Sequence, residues 1–453
     1  MIFSYFLWIL LLFICFSIVW WCFQEKTRLY QFPFFICAAF LSYIVPQLYS
    51  LIGDPYPISP EYVDLTILLT ILCVLLFFYG YTKQSASLEI GNYERNSKSS
   101  FDVDKRIFYV GIIYTIVGFL CNVAIGNVDV DQQKVSQWTG ILTVYYFFQT
   151  LLYIAFAINL HFALRKRSFF YWLVFTCSAF WPVFKFFFYA RRGELLVYVT
   201  ITLLTFWFVK GYIISRRIIF ILAVLGFFFL NAIGAYRSEL GDLNIGASNW
   251  QDFFSFTWFD SWLNAVRNVN WWDISTSSFQ EFDSQSYRIT THFSETKFAA
   301  SVIQATSETR QFGYGTDFWN RIVFGFVPAQ FLGSDVKNSL YLIIGESAGV
   351  KAQNYFSENI FNTGYVLPIM GGLFSELWLF GFFICYWIGQ KIKLFWLSVN
   401  QKKANISNQI LYSILLAYSV SLCLGGVSDY LYLFLTYTIF LIPIKYIESL
   451  EKR

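Results

Sequence analysis

Residues Phe169 to Lys210 read FFYWLVFTCSAFWPVFKFFFYARRGELLVYVTITLLTFWFVK. Two apolar runs, each near the roughly 20 residues that cross a bilayer as a helix, are joined by a turn of four or five residues. That turn is Ala190-Arg191-Arg192-Gly193-Glu194. Hydrocarbon holds no water to satisfy a backbone, so such paired runs read as a helical hairpin through a membrane. Runs of the same kind recur along the chain.

The composition agrees. Hydrophobic residues make up 57% of the 453 residues and charged residues 13%, about half the charge of an ordinary soluble chain. Mean hydropathy is +0.53. The fold class expected is all-α: a polytopic membrane protein with about eleven transmembrane helices and one large extracytoplasmic loop. The expected spans are 3–23, 33–53, 62–82, 107–126, 141–163, 169–189, 195–212, 218–235, 366–389, 408–426 and 430–447. Three parts follow: an N-terminal bundle over 1–235, a loop with interfacial helices over 236–365, and a C-terminal bundle over 366–453. The first run lacks a basic start and ends in Trp20-Trp21-Cys22-Phe23, which reads as a retained helix. All eight cysteines fall in or beside apolar runs, without CxxC or Cys/His spacing. They read as small buried apolar residues, with neither disulfides nor a metal site. Net charge is only +4, and no basic stretch interleaved with aromatics points to a nucleic-acid partner.

Orientation comes from the positive-inside rule. Lys26/Arg28, Lys83 to Arg106, Arg165 to Arg167, Lys210 to Arg217, Lys391 to Lys403 and Lys445 to Arg453 fall on one side, which is therefore cytoplasmic. The N-terminus is expected outside and the C-terminus inside. Arg191 and Arg192 then sit on the outer side, against the rule, and call for a local anion. Arginine suits phosphate because its planar fork grips two oxygens and stays charged. Lys185, Tyr189 and Arg192 are spaced i, i+4, i+7, one helix face. Arg237 follows the eighth span directly. Arg310 and Arg321 flank Gln311-Phe-Gly-Tyr-Gly-Thr-Asp317-Phe-Trp-Asn320, and an apolar stretch too short to span comes next. The remaining loop cations, Arg267, Arg288, Lys297, Lys337 and Lys351, read from spacing alone as solvated charges. Glu376 is expected inside the outer half of the ninth span, where a carboxylate needs a partner or a polar cavity. His292 is the only histidine on the outer side and could serve as a base. Asp129/Asp131 form an Asp-x-Asp pair, too common a pattern to argue for a metal. Residues 250–269 read as an amphipathic helix with Phe254, Trp258, Trp262 and Val266 on one face, suited to the interface plane.

Three stretches carry a resemblance. Tyr189-Ala-Arg191-Arg192-Gly193-Glu-Leu-Leu, Arg321-Ile-Val-Phe-Gly-Phe-Val-Pro328 through Asp335-Val-Lys337, and Gly372-Leu-Phe-Ser-Glu376-Leu-Trp-Leu-Phe-Gly381 resemble segments of the Wzy-type O-antigen or capsule repeat-unit polymerases, especially the enterobacterial-common-antigen branch. The chain departs from that pattern after Pro328: Gln330 stands where a basic residue is frequent, and no proline follows Lys337. The resemblance implies a glycosyltransferase-C-like enzyme of a bacterial inner membrane, without metal or other cofactor. Its substrate would be an undecaprenyl-diphosphate-linked oligosaccharide, and its partners membrane lipid and a chain-length regulator protein. It implies pyrophosphate or glycan binding by Lys185, Tyr189, Arg191, Arg192, Arg237, Arg310, Arg321 and Lys337. The base would be Glu376, His292 or Asp335, and the residues do not choose among them. An O-antigen ligase and a lipid-linked oligosaccharide flippase are the alternatives. A flippase would be expected to carry charge through many helices and to show repeated halves, neither of which is visible.

Overall fold

The first helix, Ile2–Gln24, buries Ser4, Leu7, Leu11, Cys15, Ile18 and Cys22, a strict three-and-four spacing along one face. Its other face carries Phe6, Phe13, Phe16 and Trp20, all exposed. A helix that is apolar all round and buries only its smaller residues is packed on one side and immersed in lipid on the other. The chain is described here from a computed structural model. It covers residues 2–83, 101–127, 141–189, 192–213, 215, 218, 221, 232, 236, 257–268, 294–327, 329–344, 347–356, 366–400 and 405–450. Every regular element among the described residues is helical.

Eight helices among them are long and apolar enough to cross a membrane: Ile2–Gln24, Phe32–Gly53, Pro60–Lys83, Asp102–Gly126, Ile141–Lys166, Gly193–Lys210, Ile369–Val399 and Ser419–Phe440. Phe169–Tyr189 and Ile406–Ala417 are further apolar helices. All but residues 218, 221 and 232 of the expected span 218–235, and residues 129 and 131, lie outside the described residues.

Ser419–Phe440 is not one straight rod. Gly426 has φ 72° and ψ −173°. The hydroxyls of Tyr418 and Tyr437 meet at 3.1 Å, and Tyr430 Oη donates to the Leu415 carbonyl at 3.2 Å. A continuous helix would separate Tyr418 from Tyr437 by roughly 28 Å. The chain therefore turns back at Gly426, which a side chain would resist at that φ. This reversal falls between the two expected spans 408–426 and 430–447.

The ninth expected span differs from its reading. It is broken: a helix Ile369–Leu377 ends at Trp378, with φ 53° and ψ −143°, and a tight 3-10 turn Trp378–Phe382 leads into Phe383–Val399. A Cβ on Gly381 would lie 2.6 Å from the Leu373 carbonyl oxygen, so this close turn needs glycine.

The chain forms two compact units. The first joins Met1–Glu94, Thr290–Ala404 and Leu415–Ile439. In it, Pro60–Lys83 and Phe383–Val399 pack backbone to backbone through glycine. A Cβ at Gly80 would strike the Tyr386 carbonyl, and one at Gly389 the Phe77 carbonyl. The second joins Arg95–Ile289, Asn405–Ile414 and Phe440–Arg453. In it, Gly111 and Gly118 admit Ile158 and Leu152 of the helix Leu151–Lys166. Asn159 donates to Thr115 Oγ1 there at 3.0 Å, and Trp181 and Phe184 close the packing over Leu152. Six cysteines are buried, Cys121 is half-buried and Cys177 is exposed, which departs from the wholly buried set expected.

Candidate functional site

The largest departure from the sequence reading is in the outer loop of the first unit. The helix Glu295–Thr309 (ETKFAASVIQATSET) has the composition of a solvated surface helix, yet everything from Thr296 to Thr306 is buried. It packs against the helices Phe32–Gly53 and Pro60–Lys83. Lys297 is 1% exposed and its Nζ meets Asp54 Oδ2 at 3.1 Å. Gln47 donates to Glu295 Oε2 at 2.5 Å, Gln304 accepts from the Ser59 amide at 3.0 Å, and Tyr62 donates to Glu308 at 3.0 Å. Lys351 is also buried and donates to the Gln311 carbonyl at 3.0 Å. Lys297 and Lys351 are thus not solvated loop charges, as expected above. They bolt a polar helix into the protein, since a buried charge must be paired or bonded.

This buried helix ends at Arg310, exposed and left-handed at φ 55°. The chain then runs through Gln311-Phe312-Gly313-Tyr314-Gly315, with Tyr314 and Gly315 also at positive φ. The turn lies along the end of the helix Ile369–Leu377. Gly313 N donates to Ser375 O at 3.0 Å and Tyr314 N to Glu376 O at 2.8 Å. Glu376 itself is 3% exposed. Its Oε2 accepts from Gly315 N at 2.8 Å and from Asp317 N at 3.3 Å. Gly313 leaves room for the carboxylate: a Cβ there would lie 2.6 Å from Glu376 Cδ. Glu376 is therefore the cap of the helix Thr316–Phe326, satisfying amides that a helix start leaves without partners. The sequence asked for a partner or a polar cavity; the structure supplies backbone amides.

The capped helix carries Arg321. Arg321 Nε meets Asp429 Oδ1 at 2.6 Å. The guanidinium lies 5.1 Å from the Tyr432 ring centroid and 5.5 Å from that of Phe324. Gly325 faces the same tyrosine, and a Cβ there would fall against its ring. Lys337 comes to the other cation position on Phe324: its Nζ is 4.8 Å from the ring centroid and donates to the Phe324 carbonyl at 3.0 Å. Burial lowers the Lys337 pKa from its ordinary value. Arg321 and Lys337, two of the expected phosphate-binding residues, thus meet on one aromatic ring beside one carboxylate. The site has more positive than negative charge, and Arg321 and Asp429 are each about one-third exposed, at 29% and 32%. Asp335 lies nearby in sequence but is exposed in the first turn of the helix Ser334–Leu340.

Asp429, Phe324 and Tyr432 were missed as site residues. The signal for Asp429 was available: it is an acid three residues past a glycine-pair turn in an apolar stretch, and such a charge needs a named partner.

In the second unit, Lys185 Nζ lies 3.4 Å from Glu194 Oε1 and 3.3 Å from Gln149 Oε1. The lysine is 13% and the glutamate 20% exposed. This pair clamps the helix Phe169–Tyr189 to the helix Arg192–Lys210 across the Arg191/Arg192 turn. Arg191, Arg237 and His292 lie outside the described residues, as do the side chains of Tyr189 and Arg192. In the expected amphipathic helix, the described part is Thr257–Asn268, with Trp262 and Val266 half-buried and Phe259 exposed. No protein-family model, no curated protein and no solved structure matches this chain.

Proposed function

We propose that this chain is a membrane glycosyltransferase that polymerises undecaprenyl-diphosphate-linked oligosaccharide repeat units into a surface polysaccharide. It would act at the outer face of a bacterial inner membrane, with the N-terminus outside and the C-terminus cytoplasmic. The observation that carries this reading is the convergence of Arg321 and Lys337 on Phe324, at the tip of a membrane hairpin, against the single carboxylate of Asp429. A lipid diphosphate brings two or more negative charges to that depth, and this cluster has positive charge left to meet them.

The reaction forms a glycosidic bond from an acceptor sugar hydroxyl to the donor's anomeric carbon. The bond from that carbon to the diphosphate oxygen breaks, and the lipid diphosphate leaves with the electron pair. Negative charge on that oxygen grows as the bond stretches, so fixed cations lower the transition state more than the ground state. Asp429 holds the Arg321 fork in place, and the aromatic faces of Phe324 and Tyr432 hold the guanidinium plane. Glu376 enters as a positioning residue: its carboxylate is spent on the amides that start the arginine's helix. The acceptor proton passes to a base, for which His292 and Asp335 are the candidates. Lys185, clamped to Glu194, sets the geometry of the Arg191/Arg192 turn, and those two arginines supply further phosphate contacts.

The test uses the purified full chain in detergent with undecaprenyl-diphosphate-linked repeat units and neither nucleotide sugar nor ATP. A ladder of lengthened glycans is expected, and it should vanish with Arg321→Ala. Failure to lengthen the glycan, with transfer of the same lipid across a vesicle bilayer, would replace the enzyme by a transporter. Transfer to a lipid A core in preference to a second repeat unit would replace the polymerase by a ligase.

A further inference from the structure

The segment that follows Arg321 carries Asp335 and Lys337, and the rest of its surface is unusual for a solvated loop. After the helix Thr316–Phe326 come two short helices, Ala329–Leu332 and Ser334–Leu340, broken at Gly333 with φ 88°. The chain then runs irregularly through Tyr341 to Ile344. Leu332, Val336, Leu340, Leu342, Ile343 and Ile344 are all exposed, Ile343 at 89%. Side chains of this kind in a water-facing loop would lose the stabilisation that burial gives them.

The backbone of the same segment is bonded internally where it is least regular. Trp319 Nε1 donates to Leu340 O at 2.8 Å. Asn320 uses both ends of its amide on one residue, donating to Leu342 O at 2.9 Å and accepting from Leu342 N at 2.9 Å. Lys337 also turns its ammonium inward, onto the Phe324 carbonyl. The polar residues Ser334 and Asn338 are exposed as well, opposite Val336 and Leu340, so the short helix has a wet side and an apolar side. Val336 and Leu340, four apart, share the latter.

The root of the segment is fixed at membrane depth. Arg321 is paired with Asp429, and Phe326 lies 5.4 Å from Tyr432, ring centroid to centroid. Both partners belong to the apolar hairpin arm whose Phe434 and Ile439 are exposed on the protein's outside. The apolar face of the loop therefore continues the lipid-facing surface of the bundle.

We infer that Leu332–Ile344 lies in the interface plane at the outer edge of the bilayer, with lipid acyl chains covering its apolar face. The inference stands on these contacts alone, and its test reads no enzymatic activity.

The test is collision accessibility of nitroxide labels at Val336→Cys, Ile343→Cys and Asn338→Cys. The full chain is reconstituted in phosphatidylethanolamine/phosphatidylglycerol nanodiscs, in a Cys177→Ser background because Cys177 is the exposed native thiol. Oxygen concentrates in hydrocarbon, and a polar nickel chelate is excluded from it. The oxygen-to-nickel collision ratio at positions 336 and 343 should exceed that at 338 severalfold. A nickel chelate that reaches 343 as readily as 338 would show a solvated loop. Low collision with both reagents at 336 and 343 would show that protein, another copy or a partner, covers the face. Either result overturns the inference. Both substitutions are at exposed sites, and the two positions report separately should one variant fail to assemble.

Discussion

Substituting Glu376 separates a positioning role from a catalytic one. Its Oε2 accepts two backbone amides, from Gly315 at 2.8 Å and Asp317 at 3.3 Å. A hydrogen bond to a charged group is worth about 1.5–3 kcal/mol, and the longer of these belongs below that range. Removing the carboxylate in Glu376→Ala also leaves a cavity at a residue that is 3% exposed. A loss of about 2–4 kcal/mol in the local stability of the first turn follows. At about 1.4 kcal/mol per tenfold, 2 kcal/mol is roughly a 30-fold increase in amide hydrogen exchange. The assay is hydrogen–deuterium exchange of the peptide spanning residues 315–326, in the reconstituted chain. Glu376→Gln keeps one carbonyl oxygen at the same place, so its exchange should rise only a few-fold, and glycan elongation should persist. Exchange in Glu376→Ala that matches the unsubstituted chain would refute the cap. Glu376→Gln with normal exchange and no elongation would refute the positioning role and make Glu376 the base.

Arg321→Ala should abolish elongation. Arg321→Lys should restore little of it, because a point charge cannot reproduce the planar fork held between Asp429 and two rings; glycan ladders from cells bearing each variant check this. Lys337 has a lowered pKa because burial disfavours its charge, so its unfolded chain binds the proton more tightly than the folded one. Stability then rises with pH between the folded and unfolded pKa values, while anion binding through the ammonium falls across the same alkaline window. Elongation should therefore decline there, and Lys337→Arg should flatten that decline in a pH–rate profile. Gly389→Ala places a methyl against the Phe77 carbonyl and should destabilise the first unit by about 1–3 kcal/mol through overpacking, seen as a lower thermal midpoint in detergent.

The sequence by itself determined the membrane class, most of the spans and the reversal near Gly426. Those follow from local physics: a long apolar run must be a helix in hydrocarbon, and a Gly-Gly-x-x-Asp interruption marks its end. It also singled out Arg321 and Glu376, because charge beside or inside apolar stretches is costly wherever the chain goes. Only the tertiary structure decided what those charges do. Glu376 meets Gly315 and Asp317, residues about 60 positions earlier, and no spacing rule links a carboxylate to amides so far away. Lys297 pairs with Asp54 across 243 residues. Glu295–Thr309, polar enough to read as a solvated loop helix, is likewise buried from Thr296 through Thr306. Local pattern reports the environment a segment could tolerate. Which distant segment supplies the hydrogen bonds is set by how the chain closes on itself, and here that closure turned a loop charge into a bolt and gave the Glu376 carboxylate a helix to cap.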